Sequence, residues 1–106
     1  MARGFKGEVR VELEGKIYTL RMDLNAMAAF EDGTGLAALD WAEKAEAGNA
    51  RVGDMISMVW CCLERHHEGA DRRLAGDILS EDPEILERLF AAAAPKPDEI
   101  EGQPGK

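Results

Sequence analysis

The chain has 106 residues, 45% of them hydrophobic and 32% charged, with a formal net charge of −8. That is chain enough for one domain with one core, of ordinary soluble composition. So acidic a balance, without a cluster of Lys and Arg, argues against wrapping nucleic acid and against an anionic membrane surface, and favours a self-repelling monomer or a basic partner.

Residues 1–6 read as a loose leader, and MARGFKGEV contains no apolar run that could serve as a signal peptide. From Gly7 to Met22 the chain alternates, with Val9, Val11 and Leu13 before Glu14-Gly15 and Tyr18, Leu20 and Met22 after it. This spacing predicts an antiparallel hairpin. Pairing Leu13 with Lys16 sets Val11 opposite Tyr18 and Val9 opposite Leu20 on an apolar face. Arg10 with Thr19 and Glu8 with Arg21 fall on the other face, with complementary charge. The turn is either two residues or a bulged three-residue loop. Two strands alone are marginal, so the apolar face must lie on helices.

Asp23 or Asn25 can cap a first helix reaching Asp32, with Leu24, Met27, Ala28 and Glu31 on one face, Phe30 beside it and Gly33 as a left-handed stop. Thr34 can cap a second helix, Leu36 to Ala47, with Leu36, Leu39, Ala42 and Ala45 inward and Trp41 off that stripe. Trp41 then either packs against the hairpin or a neighbouring helix, or stands as a protein-contact anchor. Gly48-Asn49 ends the helix.

Val52 to Arg65 shows the cleanest helical period: Val52, Met55, Ile56, Val59, Trp60 and Leu63 form one stripe, and Met58, Cys61 and Cys62 widen it. This helix reads as the central scaffold, ending near His67. Its apolar run, Met55 to Leu63, is far too short to span a bilayer. A short helix, Asp71 to Leu79, and a last one capped by Ser80 or Asp82, with Pro83 in its first turn and Ile85, Leu86, Leu89, Phe90 and Ala93 on its apolar side, complete the pattern. From Pro95 the sequence PKPDEIEGQPGK reads as a disordered tail. The expected architecture is α+β: a two-stranded hairpin packed on a bundle of four to five short helices, forming a single domain over residues 7–94, with leader 1–6 and tail 95–106.

Cys61 and Cys62, about 100° apart on the helix, read as reduced thiols of a cytoplasmic protein. Cys62 and His66 are four residues apart and are the weak candidates for a metal pair, but no second pair completes four ligands. A structural thiol beside helix-end histidines is the better reading, and no cofactor is expected. A Cys–His nucleophile lacks an orienting group and oxyanion donors. DGTG lacks the preceding strand and following Lys of a phosphate loop. The acidic side chains, interleaved with Lys and Arg, form no isolated dyad.

Val11, Leu13, Gly15, Tyr18 and Leu20 as V-x-L-x-G-x-x-Y-x-L, then Glu31, Thr34 and Gly35 as E-x-x-T-G, followed by the helix DMISMVWCCL, resemble the small tail-module protein of alphaproteobacterial gene transfer agents, a phage tail assembly chaperone family. The resemblance spans about residues 7–90, and CCLERHH departs from the aliphatic or small residues it leads one to expect there. It implies a non-enzymatic morphogenesis factor that binds the tape-measure protein, and the tail tube protein as a further partner, during tail assembly. It also implies a partner surface on the flanking helices, at Leu36, Leu39, Trp41, Leu86 and Phe90. The alternatives are a structural tail or connector component, and a small Cys/His metal- or thiol-dependent regulator.

Overall fold

A computed structural model describes residues 6–93. The order of elements is β1 (Lys6–Leu13), β2 (Lys16–Asp23), α1 (Leu24–Thr34), α2 (Ala38–Glu46), α3 (Val52–Leu63), α4 (Arg72–Glu81) and α5 (Ile85–Ala93). The architecture is therefore the expected α+β one, a two-stranded antiparallel hairpin followed by five helices. Lys6 of the expected leader opens β1; the rest of the leader and the expected tail lie outside the described residues.

The hairpin register is the predicted one, from Leu13↔Lys16 through Val11↔Tyr18 and Val9↔Leu20, with Arg10↔Thr19 and Glu8↔Arg21 on the opposite face. The turn is two residues, and both Glu14 (φ 53) and Gly15 (φ 82) are left-handed. That geometry matches the twist of the strands, and it closes the bulged alternative. Leu20 and Met22 are fully buried beneath the helices.

α3 is the centre, as its period required. It packs against α1, α4, α5 and β2, and Met58, Val59, Cys62 and Leu63 are fully buried. Val52, the first residue of the predicted stripe, is 66% exposed, because the N-terminal end of α3 projects past the core. The helix stops at Leu63 rather than near His67; the His66 and His67 amides both donate to the Leu63 carbonyl at 3.2 and 3.0 Å, closing a turn. α5 lies on the hairpin so closely that Gly7 faces the backbone of Ala92 and Ala93.

α1 and α2 differ most from expectation. Asp23 is the α1 cap, accepting from the Ala26 N–H at 2.9 Å. The helix continues through Gly33 to Thr34, and Gly35 (φ 78) is the left-handed stop, its N–H donating to the Glu31 carbonyl. Thr34 donates its hydroxyl to the Phe30 carbonyl at 2.7 Å and so finishes α1 instead of capping α2. α2 starts at Ala38, whose N–H is satisfied by the Glu31 carboxylate at 2.8 Å. The buried face of α1 is Ala26, Met27 and Phe30, and that of α2 is Ala38 and Trp41. The rings of Phe30 and Trp41 meet at 4.8 Å and 46°. The two large aromatics set the phase of each helix because they bury more apolar area than the competing leucines. Leu24 and Leu39 are consequently turned outward, each 66% exposed.

In α4, Asp71 accepts from the Leu74 N–H at 2.9 Å, and the helix runs two residues beyond the predicted Leu79. Of the two proposed caps for α5, Ser80 is inside α4, and Asp82 accepts from the Glu84 N–H at 3.2 Å.

Candidate functional site

Beside the outward-turned face of α2 lies an open groove of about 630 Å³ between α2, α3 and α5. Its floor is apolar: Leu39, Ala42 and Ala45 from α2, Met55 from α3, and Leu86, Phe90 and Ala91 from α5. The alanines give it depth, since no larger side chain fills the space between the helices. Among the described residues its charged lining is acidic, with Glu46 on the α2 side and Glu84 and Glu87 on the α5 side. An apolar trough flanked by carboxylates fits the hydrophobic stripe of a helix whose flanks carry Lys or Arg.

Of the five side chains placed on the predicted partner surface, Leu39, Leu86 and Phe90 come together in this groove. Leu36 and Trp41 do not; they line a separate, more polar cleft. Trp41 is 4% exposed, so packing against a neighbouring helix, here through Phe30, replaces the exposed-anchor alternative. Met55, assigned by period to the core stripe, is only half-buried, and the three glutamates carried no signal in the sequence. The phase of α2 with Trp41 inward would have placed Leu39, Ala42 and Glu46 at the groove.

The cysteines and histidines are not brought together. Cys62 is buried in the core, whereas His66 leaves α3 with the turn and pairs with the Glu8 carboxylate at 2.6 Å. Because α3 ends at Leu63, the four-residue spacing from Cys62 to His66 does not lie along one helix face. Among the described residues, no three His, Cys, Asp or Glu side chains gather to hold a metal ion. The hydrogen bond from His66 holds the Glu8 carboxyl below the usual carboxylate range. His67 accepts from the Thr19 N–H through Nε2 at 3.0 Å and stacks edge-on against Tyr18. It thus occupies a donor on the free edge of β2, a position open sheet edges must protect.

Burial, followed by the charge of Glu64, pushes the Cys61 thiol up to about 11, and burial pushes Cys62 higher still. Neither supplies a thiolate near neutral pH, which thiol chemistry requires. Native protein at pH 8 is expected to show no fast-reacting thiol toward an aromatic disulfide reagent, and two after unfolding in urea. A fast thiol in the native state would restore the thiol-regulator reading.

Comparison with known proteins adds one positive finding. Residues 6–94 match a family model described as "Phage tail tube protein, GTA-gp10". No curated protein and no solved structure matches the chain. No helix among the described residues is long and apolar enough to cross a membrane.

Proposed function

We propose a role in building a phage-like tail, on the premise that the family match supplies: the chain belongs to the phage tail tube protein family of gene transfer agents, GTA-gp10. The family is one of tail structure and not of catalysis. Within it, the role we favour is that of an assembly chaperone, which holds an elongated helical partner, the tape-measure protein, while the tube forms around it. The observation that carries this reading is the groove: an apolar floor between α2, α3 and α5 whose charged lining, among the described residues, is Glu46, Glu84 and Glu87. A partner that must be shielded and then released needs an apolar contact of moderate area and steering by charge, and this surface offers both.

Leu39 tests the groove cleanly, because it is 66% exposed and contributes little to the core. Leu39→Asp is expected to leave thermal stability unchanged and to weaken binding of a helical tape-measure fragment at least about tenfold, the loss of roughly 1.4 kcal/mol from an interface anchor. Raising salt should weaken the wild-type complex, because the glutamates are solvent-facing. Isothermal titration reads both. No binding by the wild-type protein, or equal binding by the variant, would remove this reading.

A family of tail tube proteins also favours a second reading, a structural component of the tail itself. Its test is the composition of purified particles: a stoichiometric ring of this chain assigns the structural role, and absence from finished particles assigns the chaperone.

A further inference from the structure

A hairpin has two edges, and each is a row of backbone N–H and C=O groups with which another strand can pair. In a two-residue hairpin closed at Leu13↔Lys16, the pairs Val11↔Tyr18 and Val9↔Leu20 exchange the ladder hydrogen bonds. The intervening pairs, Glu8↔Arg21, Arg10↔Thr19 and Glu12↔Ile17, turn their backbone groups outward. Thr19 shows the phase directly, because its N–H leaves the ladder and donates to His67 Nε2 at 3.0 Å. The β2 edge is thus plugged at its middle by the turn after α3, and Asp23 at its end is buried and occupied in capping α1.

The β1 edge differs. Among the described residues, none bonds the outward backbone groups of Glu8, Arg10 or Glu12, and all three residues are exposed. Charged side chains on an edge normally keep other strands away. They do so where like charges meet, and that depends on register. When two copies of β1 lie antiparallel, the outward residues Lys6, Glu8, Arg10 and Glu12 face one another. Placing Arg10 opposite Arg10 also sets Glu8 against Glu12, and placing Glu8 opposite Glu8 sets Lys6 against Arg10. Both registers repel. Placing Arg10 opposite Glu12 sets Glu8 against Glu14, which belongs to the turn with φ 53. A two-fold axis at Val9 instead sets Glu8 opposite Arg10 twice and Lys6 opposite Glu12 twice, so every charged pair over residues 6–12 is of opposite sign. On the inner face it brings the two half-buried Val9 side chains together and sets each Gly7 opposite Val11.

The chain's own C-terminal segment is a poorer occupant of this edge. Its longest proline-free run, Asp98-Glu99-Ile100-Glu101-Gly102-Gln103, brings further acids to an edge that already carries Glu8 and Glu12. The formal net charge of −8 repels a second copy at long range, but at physiological ionic strength that field decays over about 8 Å, and pairs in contact are screened less.

We propose that β1 pairs antiparallel with β1 of a second copy about a two-fold axis at Val9, joining two hairpins into one four-stranded sheet. Among the described residues β1 contributes nothing to the lining of the apolar groove, so the pairing does not depend on the tape-measure reading. A single strand ladder is a small interface, and the dimer is accordingly weak, with a dissociation constant on the order of 100 µM.

Sedimentation equilibrium and amide exchange of the full chain test it, between about 20 µM and about 1 mM protein in about 0.15 M salt. As concentration rises, monomer is expected to give way to dimer, and exchange to slow at the amides of Glu8, Arg10 and Glu12. The Val9 and Val11 amides belong to the hairpin ladder already and the Thr19 amide to His67, so their rates should change little. Arg10→Glu places two acids opposite Glu8 and should weaken the dimer at least about tenfold, as should Glu8→Arg. An equal mixture of the two variants has opposite charge at both pairs and should associate like wild type. Arg10→Glu leaves the contacts of Glu8 with His66 and Arg21 in place, so its melting temperature should stay close to that of wild type. A monomer at every concentration, a dimer indifferent to both reversals, or a mixture no tighter than its parts would overturn the proposal. So would protection of the three amides at every dilution, which would assign the edge to a terminal segment of the same chain.

Discussion

Replacing Gly7 by alanine is expected to destabilise the protein by about 1–3 kcal/mol, the range for forcing an added methyl into closed packing. In a domain of this size that lowers the melting temperature by roughly 10 °C. Gly7 opens the hairpin opposite Met22, and α5 crosses it there. A Cβ on Gly7 would lie 2.3 Å from the Ala92 carbonyl carbon and 2.5 Å from both the Ala92 oxygen and the Ala93 nitrogen, well inside the 3.0 Å that real Cβ atoms keep. All three atoms are backbone, so no side-chain rotation relieves the overlap, and α5 must lift from the hairpin. Gly33 supplies the control. It lies within α1 with nothing near its would-be Cβ and without a left-handed φ. Gly33→Ala should therefore stabilise by about 0.5–1 kcal/mol. Thermal and urea unfolding of the two variants measure both signs. A Gly7→Ala protein as stable as wild type would mean that α5 does not rest on the hairpin, and the α5 wall of the groove would then be misplaced as well.

The register of the hairpin was legible because a period of two leaves one alternative, and that alternative buries Arg10 and Arg21. α3 was legible because nine of its residues are apolar or sulfur-bearing and it must be central. The phases of α1 and α2 were not. Each is a short, alanine-rich helix on which several stripes score alike, and the choice was made by a contact between them, Phe30 with Trp41, that neither helix encodes alone. Favouring leucines over aromatics turned Leu39 inward on paper and left the groove invisible. The end of α3 was missed for a different reason: Glu64 to Glu68 carry no proline or glycine, and the turn is stabilised by partners far along the chain, Glu8 for His66 and Thr19 for His67. The motifs that carried the family resemblance survive because they are backbone punctuation: Gly15 in the hairpin turn, and Gly35 at the end of α1.

Phe30→Ala is expected to cost about 3–5 kcal/mol, as truncation of a fully buried aromatic does, and that is much of the stability a domain of this size holds. Phe30 has no exposed surface, sits on the buried face of α1, and is the ring against which Trp41 packs. Besides the small Ala38, Trp41 is the fully inward side chain of α2, so the pair is what holds α2 to the rest of the core. The groove needs α2 in place for Leu39, Ala42 and Ala45. A partial truncation separates this role from global unfolding. Phe30→Leu keeps most of the volume and should cost roughly 1–2 kcal/mol. The variant stays folded while α2 loosens. Amide exchange is then expected to accelerate in α2 and to stay slow in α3 and the hairpin, and affinity for a groove ligand should fall although no groove residue has changed. Uniform acceleration across all elements would show that α2 is no weaker than the rest. The groove would then be a rigid feature of the core, not a surface set by one aromatic contact.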